Sequence, residues 1–252
     1  MGQIAVNKYL DFRNGKAKHY YNVLGNMNRK NVVIEDFFTG IALDTTNKWA
    51  VSVPGSSDSI AISEVSGGSV LMTTGTADND SCMISSAIIF EPAKNPWFEI
   101  DLTITDVTGT ALFAGFSDAK SESNNSIAIH YDGDSLTSAA SDAAGFVVDA
   151  DHATSSIMCC TVNDDTDGTA DDSGIDWTDG VNYVLRGELN SDGDAVFYLW
   201  EADGTKGLTS VGYTASAVTT SDLYCVTVQA MTRANDGANT VRIHSIKAGQ
   251  DR

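Results

Sequence analysis

The chain has 252 residues, 42% hydrophobic and 19% charged, which suffices for a buried core and excludes wholesale disorder. Its 34 acids against 15 bases leave a net charge of −19. Such a surface repels nucleic acid and anionic membranes and excludes a simple phosphate-backbone binder. No apolar run reaches the roughly 18 residues that span a bilayer. The opening MGQIAVNKYLDF has no apolar h-region, which predicts the absence of a secretory signal. Val6 stands where an N-myristoylation motif needs Ser or Thr.

Charge is unevenly distributed along the chain. Residues 1–34 hold Lys8, Arg13, Lys16, Lys18, Arg29 and Lys30 against a single acid, Asp11, whereas residues 35–252 hold nine bases and 33 acids. The first segment also carries Tyr9, Phe12, His19, Tyr20 and Tyr21, with a weak helical pattern across 16–24 that stops at Gly25. A basic, aromatic arm on an acidic body has three readings. It folds back on its own domain, it docks on another protein chain, or it contacts nucleic acid, which the acidic body opposes. The docking reading uses aromatic anchors for area and bases for steering. It makes Lys8, Tyr9, Phe12, Arg13, Lys16, Lys18, Tyr20, Tyr21, Arg29 and Lys30 the candidate contacts.

From residue 35 the apolar period is two, the period of strands. In WFEIDLTIT, Phe98, Ile100, Leu102 and Ile104 share one face, and Trp97, Glu99, Asp101 and Thr103 the other. The same alternation runs through YVLRGEL at 183–189, AVFYLWE at 195–201 and TVRIH at 240–244. Further strand-like runs fall at 58–65, 68–74, 82–90, 110–117, 126–132, 155–162 and 222–231, separated by turn residues such as Ser66-Gly67-Gly68 and Asn190-Ser191-Asp192-Gly193-Asp194. About a dozen short strands with no long helix predict an all-β chain, an antiparallel β-sandwich over 35–252 preceded by an extended N-terminal arm, 1–34. The stretch 163–180 reads as a loop. Cys82, Cys159, Cys160 and Cys225 match no metal or redox spacing and read as free thiols. On an alternating strand, Cys159 and Cys160 point to opposite faces.

The run Glu35-Asp36-Phe37-Phe38-Thr39-Gly40, then Leu43-Asp44-Thr45 and Lys48-Trp49, resembles the opening of concanavalin A-like (laminin G-like) jelly-roll domains. WFEIDLTITDVTGTALFAGFSDA is similar to their central hairpin, and residues 183–204 and 226–249 resemble their last strands. Such domains are frequent in phage structural proteins, including capsid decoration (cement) proteins and head or tail fibres. The resemblance implies a non-enzymatic virion protein on the outer capsid surface, made in the host cytoplasm. Its arm would grip the major capsid protein or neighbouring copies, plausibly as a homo-oligomer, with a trimer matching a shell of threefold symmetry. The alternative it implies is a carbohydrate- or receptor-binding fibre domain, for which Trp97 and Trp177 are the candidate exposed aromatics. The expected partners include neither nucleic acid nor a membrane.

The fold also hosts glucanases, so the carboxylates need a test. A retaining glycosidase needs two carboxylates about 5–5.5 Å apart. Glu99-Ile100-Asp101 resembles the first half of the glucanase pattern ExDxxE or ExDxxxE, but its second Glu would fall at Ile104 or Thr105. No nucleophile elbow, metalloprotease helix or phosphate loop occurs. The expectation is therefore no enzyme and no cofactor, calcium excepted. In N-D-D-T-D-G-T-A-D-D-S-G, Asn163, Asp165, Asp167 and Asp171 fit positions 1, 3, 5 and 9 of a calcium loop, while Gly174 stands where the bidentate Glu belongs. The competing reading is a solvated acidic loop.

Overall fold

The computed structural model describes residues 31–55, 57–63, 65–122, 126–204, 207–233 and 237–251. Alternating strands build two large antiparallel sheets. The first has the order β16 (Thr209–Thr214), β15 (Ala195–Glu201), β14 (Asn182–Leu189), β6 (Trp97–Ile104), β18 (Thr240–Asp251), β4 (Ser69–Thr73), β3 (Ser59–Ser63). β1 (Asn31–Asp36) pairs with the far half of β18, so the charge boundary at residue 34 falls inside a strand rather than between arm and body. The second sheet has the order β12 (Thr166–Asp167), β11 (Ser156–Asn163), β10 (Ala143–Asp149), β7 (Thr110–Ser117), β17 (Cys225–Thr232), β5 (Ser81–Ser85), β2 (Ala50–Ser52), with β13 (Asp171–Asp176) also on β11. A separate hairpin, β8 (Ile129–Asp132) and β9 (Ser135–Ser138), lies outside both sheets. The fold expected from the sequence, an antiparallel jelly-roll sandwich, is the fold found.

The core forms where the inward faces meet. Phe98, Ile100, Leu102 and Ile104 are all fully buried, while the intervening residues of β6 keep partial exposure. Phe98 meets Phe116 edge-on at 5.1 Å and Phe146 at 6.3 Å, and Phe146 meets Phe197 at 5.3 Å, so aromatics from both sheets interlock. Each such ring taken from water contributes on the order of 1.5–3 kcal/mol. At the start of the domain, the Asp36 carboxylate accepts from Trp49 Nε1 at 3.0 Å and from the Phe38 amide at 2.9 Å, tying the β1 exit to the buried Trp49.

A second apolar layer covers the outside of the second sheet. Phe113, Val147, Met158, Cys160 and Met231 point outward, yet are buried in one cluster with Ile127, just before the β8–β9 hairpin, and Ile129 and Tyr131 of β8 itself. Cys159 belongs to the core between the sheets and Cys160 to this outer layer, the opposite faces expected of adjacent strand residues. Burial on both faces also explains why β10, AAGFVVD, has no alternating pattern in the sequence.

Candidate functional site

β6, β14 and β18 carry polar side chains on the open face of the first sheet. Arg186 donates to Glu188 at 2.6 Å and lies 3.7 Å from Glu99, and the Lys247 ammonium reaches Glu99 at 3.4 Å. Two cations thus neutralise the first carboxylate of the glucanase-like pair. Past Asp101 on the same face, Thr103 shares a hydrogen bond with His244 Nε2 at 3.2 Å. Ile104 is buried in the core and Thr105 bonds to Thr240, so neither offers an acid. Burial holds the His244 ring below the usual imidazole range, the Asp101 charge opposing it and Arg242 adding to it. A shallow depression of about 260 Å³ lies among Phe37, Glu99, Asp101, His244 and Lys247.

The two tryptophans separate. Trp97 is half-buried on this face, with the Arg186 guanidinium 5.1 Å from its ring centre, an arrangement that uses one ring face for cation–π contact. Trp177, read from the sequence as an exposed loop aromatic, is only 3% exposed and packs on Tyr183 at 4.6 Å. This corrects the expectation: the apolar indole is drawn into the core beside β14.

The acidic run also differs from its expectation as a loop. After Asn163 the chain reverses at Asp164 and Asp165, both at positive φ (50° and 60°), and returns along the edge of β11 as β12 and β13. The four proposed calcium ligands are dispersed by this path. Asn163 spends its amide on the Ser216 carbonyl at 2.7 Å and its oxygen on Thr219 at 3.0 Å, while Asp171 accepts from the Tyr213 amide at 3.2 Å. Among the described residues, no three His, Cys, Asp or Glu side chains gather where they could hold a metal ion.

Asn163 instead helps to line an open cleft of about 520 Å³ at one end of the sandwich, with Asp164, Asp192, Thr219, Thr220 and Asp222. Its frame is fixed by short hydrogen bonds. In the β14–β15 turn, Asn190 Oδ1 accepts from the amides of Asp192 (2.9 Å) and Asp194 (3.0 Å), and Gly193 adopts φ 79°. The Gly193 carbonyl accepts from Ala217 at 2.8 Å, and Asp194 accepts from the Ser216 amide at 2.9 Å and the Tyr213 hydroxyl at 3.0 Å. These donors, the Ser216 amide first, hold the Asp194 carboxyl below its usual range. The Thr219 amide donates to buried Asp142 at 2.6 Å. Two residues outside glycine at positive φ, Asp164 and Ser216, line the cleft, a strained backbone held by this network. The cleft offers carboxylates, a carboxamide and hydroxyls, a set suited to a polyhydroxylated ligand.

Sequence reasoning reached Asn163 but missed Asp164, Asp192, Thr219 and Asp222. The signal for Asp192 was the turn Asn190–Asp194, which reads only as strand punctuation until the fold brings it beside 216–222. The arm residues Lys8, Tyr9, Phe12, Arg13, Lys16, Lys18, Tyr20, Tyr21, Arg29 and Lys30 lie outside the described residues.

No family model and no curated protein matches the chain. Solved structures do share its fold. Lectin UEA-II complexed with galactose is 9% identical with a TM-score of 0.59, over 88% of this chain and 99% of the lectin. A glycosyl hydrolase family 16 protein from Mycobacterium smegmatis is 10% identical with a TM-score of 0.54, over 85% and 98%. A protein of unknown function from Shewanella oneidensis MR-1 is 13% identical with a TM-score of 0.57, over 95% of each chain. The chain therefore has the concanavalin A-like jelly-roll architecture that lectins and glycosyl hydrolases share.

Proposed function

We propose that this chain is a non-enzymatic, lectin-like binding domain that takes a carbohydrate in the cleft bordered by Asn163, Asp164, Asp192, Thr219 and Asp222. One observation carries the reading: turns from distant parts of the chain converge on an open, polar depression and are hydrogen-bonded to one another there, in an architecture shared with a lectin complexed with galactose. The carboxylate oxygens of Asp164, Asp192 and Asp222 there accept from vicinal hydroxyls, and the Thr220 hydroxyl returns a hydrogen bond. The non-enzymatic part rests on Glu99, whose charge is spent on Arg186 and Lys247, and on Ile104 and Thr105 standing where the glucanase pattern needs its second glutamate.

The test is a glycan array with the full chain, followed by calorimetric titration of the retained glycan. Asp192→Asn and Asp222→Asn are expected to weaken binding at least about tenfold, the loss of one charged hydrogen bond each, with an unchanged melting temperature. If no glycan is retained, or if Trp97→Ala removes binding and the aspartate variants do not, the cleft is not the site. Turnover of a β-glucan would overturn the non-enzymatic part.

A second reading is favoured by the charge segregation, six bases before residue 31 against an acidic remainder. In it the domain decorates a phage capsid from outside, as a homo-oligomer such as a trimer. The arm grips the major capsid protein, and many weak copies gain strength by avidity. Co-sedimentation with shells lacking this protein tests it: the full chain is expected to pellet at saturating stoichiometry, and a full chain left in the supernatant removes the reading.

A further inference from the structure

We propose that a second copy of this chain docks on the outer edge of β3, Ser59–Ser63, the two strands pairing antiparallel about a twofold axis at Ala61. The dimer rests on neither the carbohydrate nor the capsid reading.

The first observation is which sheet edge stays open. On one side of the sandwich the sheets end in β16 and β13 and are tied together: the Tyr213 amide donates to Asp171 at 3.2 Å, and the Asn163 side-chain amide to the Ser216 carbonyl at 2.7 Å. On the other side they end in β2 and β3, and among the described residues no strand pairs with the outer edge of either. An edge strand presents a row of unpaired amides and carbonyls, which proteins blunt with charge, proline, bulges or shortness. The other edges of the two sheets are blunted in this way. β13 carries Asp171, Asp172 and Asp176 and pairs through a register shift, as β16 does. β12 and β2 are two and three residues long, and Pro54 closely follows β2. β1 ends in Glu35-Asp36. β3 has five residues in unbroken register, with no charge and no proline.

The second observation is the sequence of that edge. Ser59-Ile60-Ala61-Ile62-Ser63 reads the same in both directions. Antiparallel pairing of two such strands, centred on Ala61, sets Ile60 of each copy opposite Ile62 of the other and Ser59 opposite Ser63. A twofold interface requires this self-complementarity, which selects a second copy over an unrelated strand. Ile60 and Ile62 pack against the core yet stay partly exposed at the end of the sheet, so cross-strand isoleucine pairs extend the apolar layer from one copy into the next. Ser59 and Ala61 are exposed on the other face, side chains too small to obstruct a neighbouring strand.

The third observation is the surroundings in the chain. Of the seven large hydrophobic residues exposed among the described residues, Phe37, Ile41, Val53 and Val65 lie in the connections that precede and follow β2 and β3. Such a concentration marks an interaction surface.

Sedimentation of the full chain tests the dimer. One short strand makes a small interface, so passage from monomer to dimer is expected between about 1 and about 100 µM. Each copy carries a net charge of −19, so screening is expected to tighten the dimer several-fold from about 20 mM to about 0.5 M salt. Association of a basic N-terminal segment with an acidic body would weaken instead. Ala61→Lys and Ala61→Glu set like charges against each other on the axis. Each alone is expected to stay monomeric, and an equal mixture of the two to recover the dimer. Unfolding midpoints at about 1 µM, where the natural chain is monomeric, check that both variants fold. Cross-linking gives a second readout, because the four natural cysteines are buried. Paired residues of antiparallel strands stand about 4.5–5.5 Å apart at Cα, within reach of a disulfide. Ala61→Cys is expected to close a covalent dimer on mild oxidation, whereas Ser210→Cys, exposed on β16, is not. A chain that stays monomeric, a trimer, association indifferent to the charge at position 61, a mixture that does not recover, or equal cross-linking of the two cysteine variants would each overturn the proposal.

Discussion

Arg233 holds Asp149 with both prongs of its guanidinium, Nε donating to Oδ1 at 2.9 Å and Nη2 to Oδ2 at 2.7 Å, with both residues almost completely buried. The same Nη2 donates to the Tyr131 carbonyl at 2.7 Å, and the Tyr131 amide donates to Asp149 at 2.8 Å. One ion pair thus fastens the end of β17 to the end of β10 and pins the β8–β9 hairpin over the second sheet. Arg233→Met leaves the Asp149 charge buried and unpaired, at a cost of about 3–5 kcal/mol. Denaturant unfolding is expected to show that loss, and the double variant Arg233→Met/Asp149→Leu is expected to recover part of it. A double variant no better than the single would show that the pair is not the fastening.

Glu122 gives the pH dependence. Burial pushes its carboxyl up to about 7, and the nearby Asp118 charge adds to the rise. A carboxyl raised in the folded state adds its full stability below its unfolded pKa near 4.5 and loses it as pH rises through the folded value. Burial moves His130 and His244 down, so they act in the opposite direction on acidification. Comparison with Glu122→Gln separates the two effects. From about pH 5 to about pH 8 the stability advantage of Glu122→Gln over the natural chain is expected to grow. A constant difference across that range would remove Glu122 as the cause.

All four cysteines are buried and unbridged. Burial pushes the Cys160 and Cys225 thiols up to about 12 and those of Cys82 and Cys159 higher still. Since the thiolate is the reactive form, a disulfide reagent at about pH 8 is expected to find no thiol in the native chain and all four after denaturation. Rapid native reaction of Cys160 would indicate opening of the β8–β9 hairpin.

Gly115 and Gly145 face each other across β7 and β10. A Cβ on Gly115 would stand 2.4 Å from the Ala144 carbonyl oxygen and 2.5 Å from Gly145 Cα, backbone atoms at the middle of a sheet that cannot swing aside. Gly115→Ala is expected to cost about 1–3 kcal/mol or more by forcing the strands apart. Gly207→Ala, where a Cβ meets nothing within 4 Å, is the matched control and is expected to leave the melting temperature unchanged.

Strands with one wet face and one dry face were legible from their alternation, whereas β7, β11 and β17, buried along almost their whole length, were legible only as apolar runs between turns. β6, with partial exposure alternating with complete burial, is the clearest of the alternating strands. β10 was not legible, because it is buried on both faces and opens on Ala143-Ala144-Gly145, residues that carry neither alternation nor strand preference. The acidic run was misread as a loop because aspartate favours turns wherever they occur, whereas the edge of β11 can hold a strand of that composition in water. Trp177 was misplaced for a related reason: polar neighbours marked its segment as exposed, and only the packing of Tyr183 shows the indole turned inward.

By itself the sequence determined the sandwich, its largely polar outer face at β6, the opposed faces of Cys159 and Cys160, and the segregation of charge. Those properties follow from residue type and a period of two, which are local. Tertiary structure alone decided the cleft, the neutralisation of Glu99 by Arg186 and Lys247, and the Arg233–Asp149 fastening. Each joins side chains far apart in the chain, and their meeting depends on the order in which strands pair. Strand order is settled by how two whole sheets cover each other's apolar faces, a global balance that no short window of residues contains.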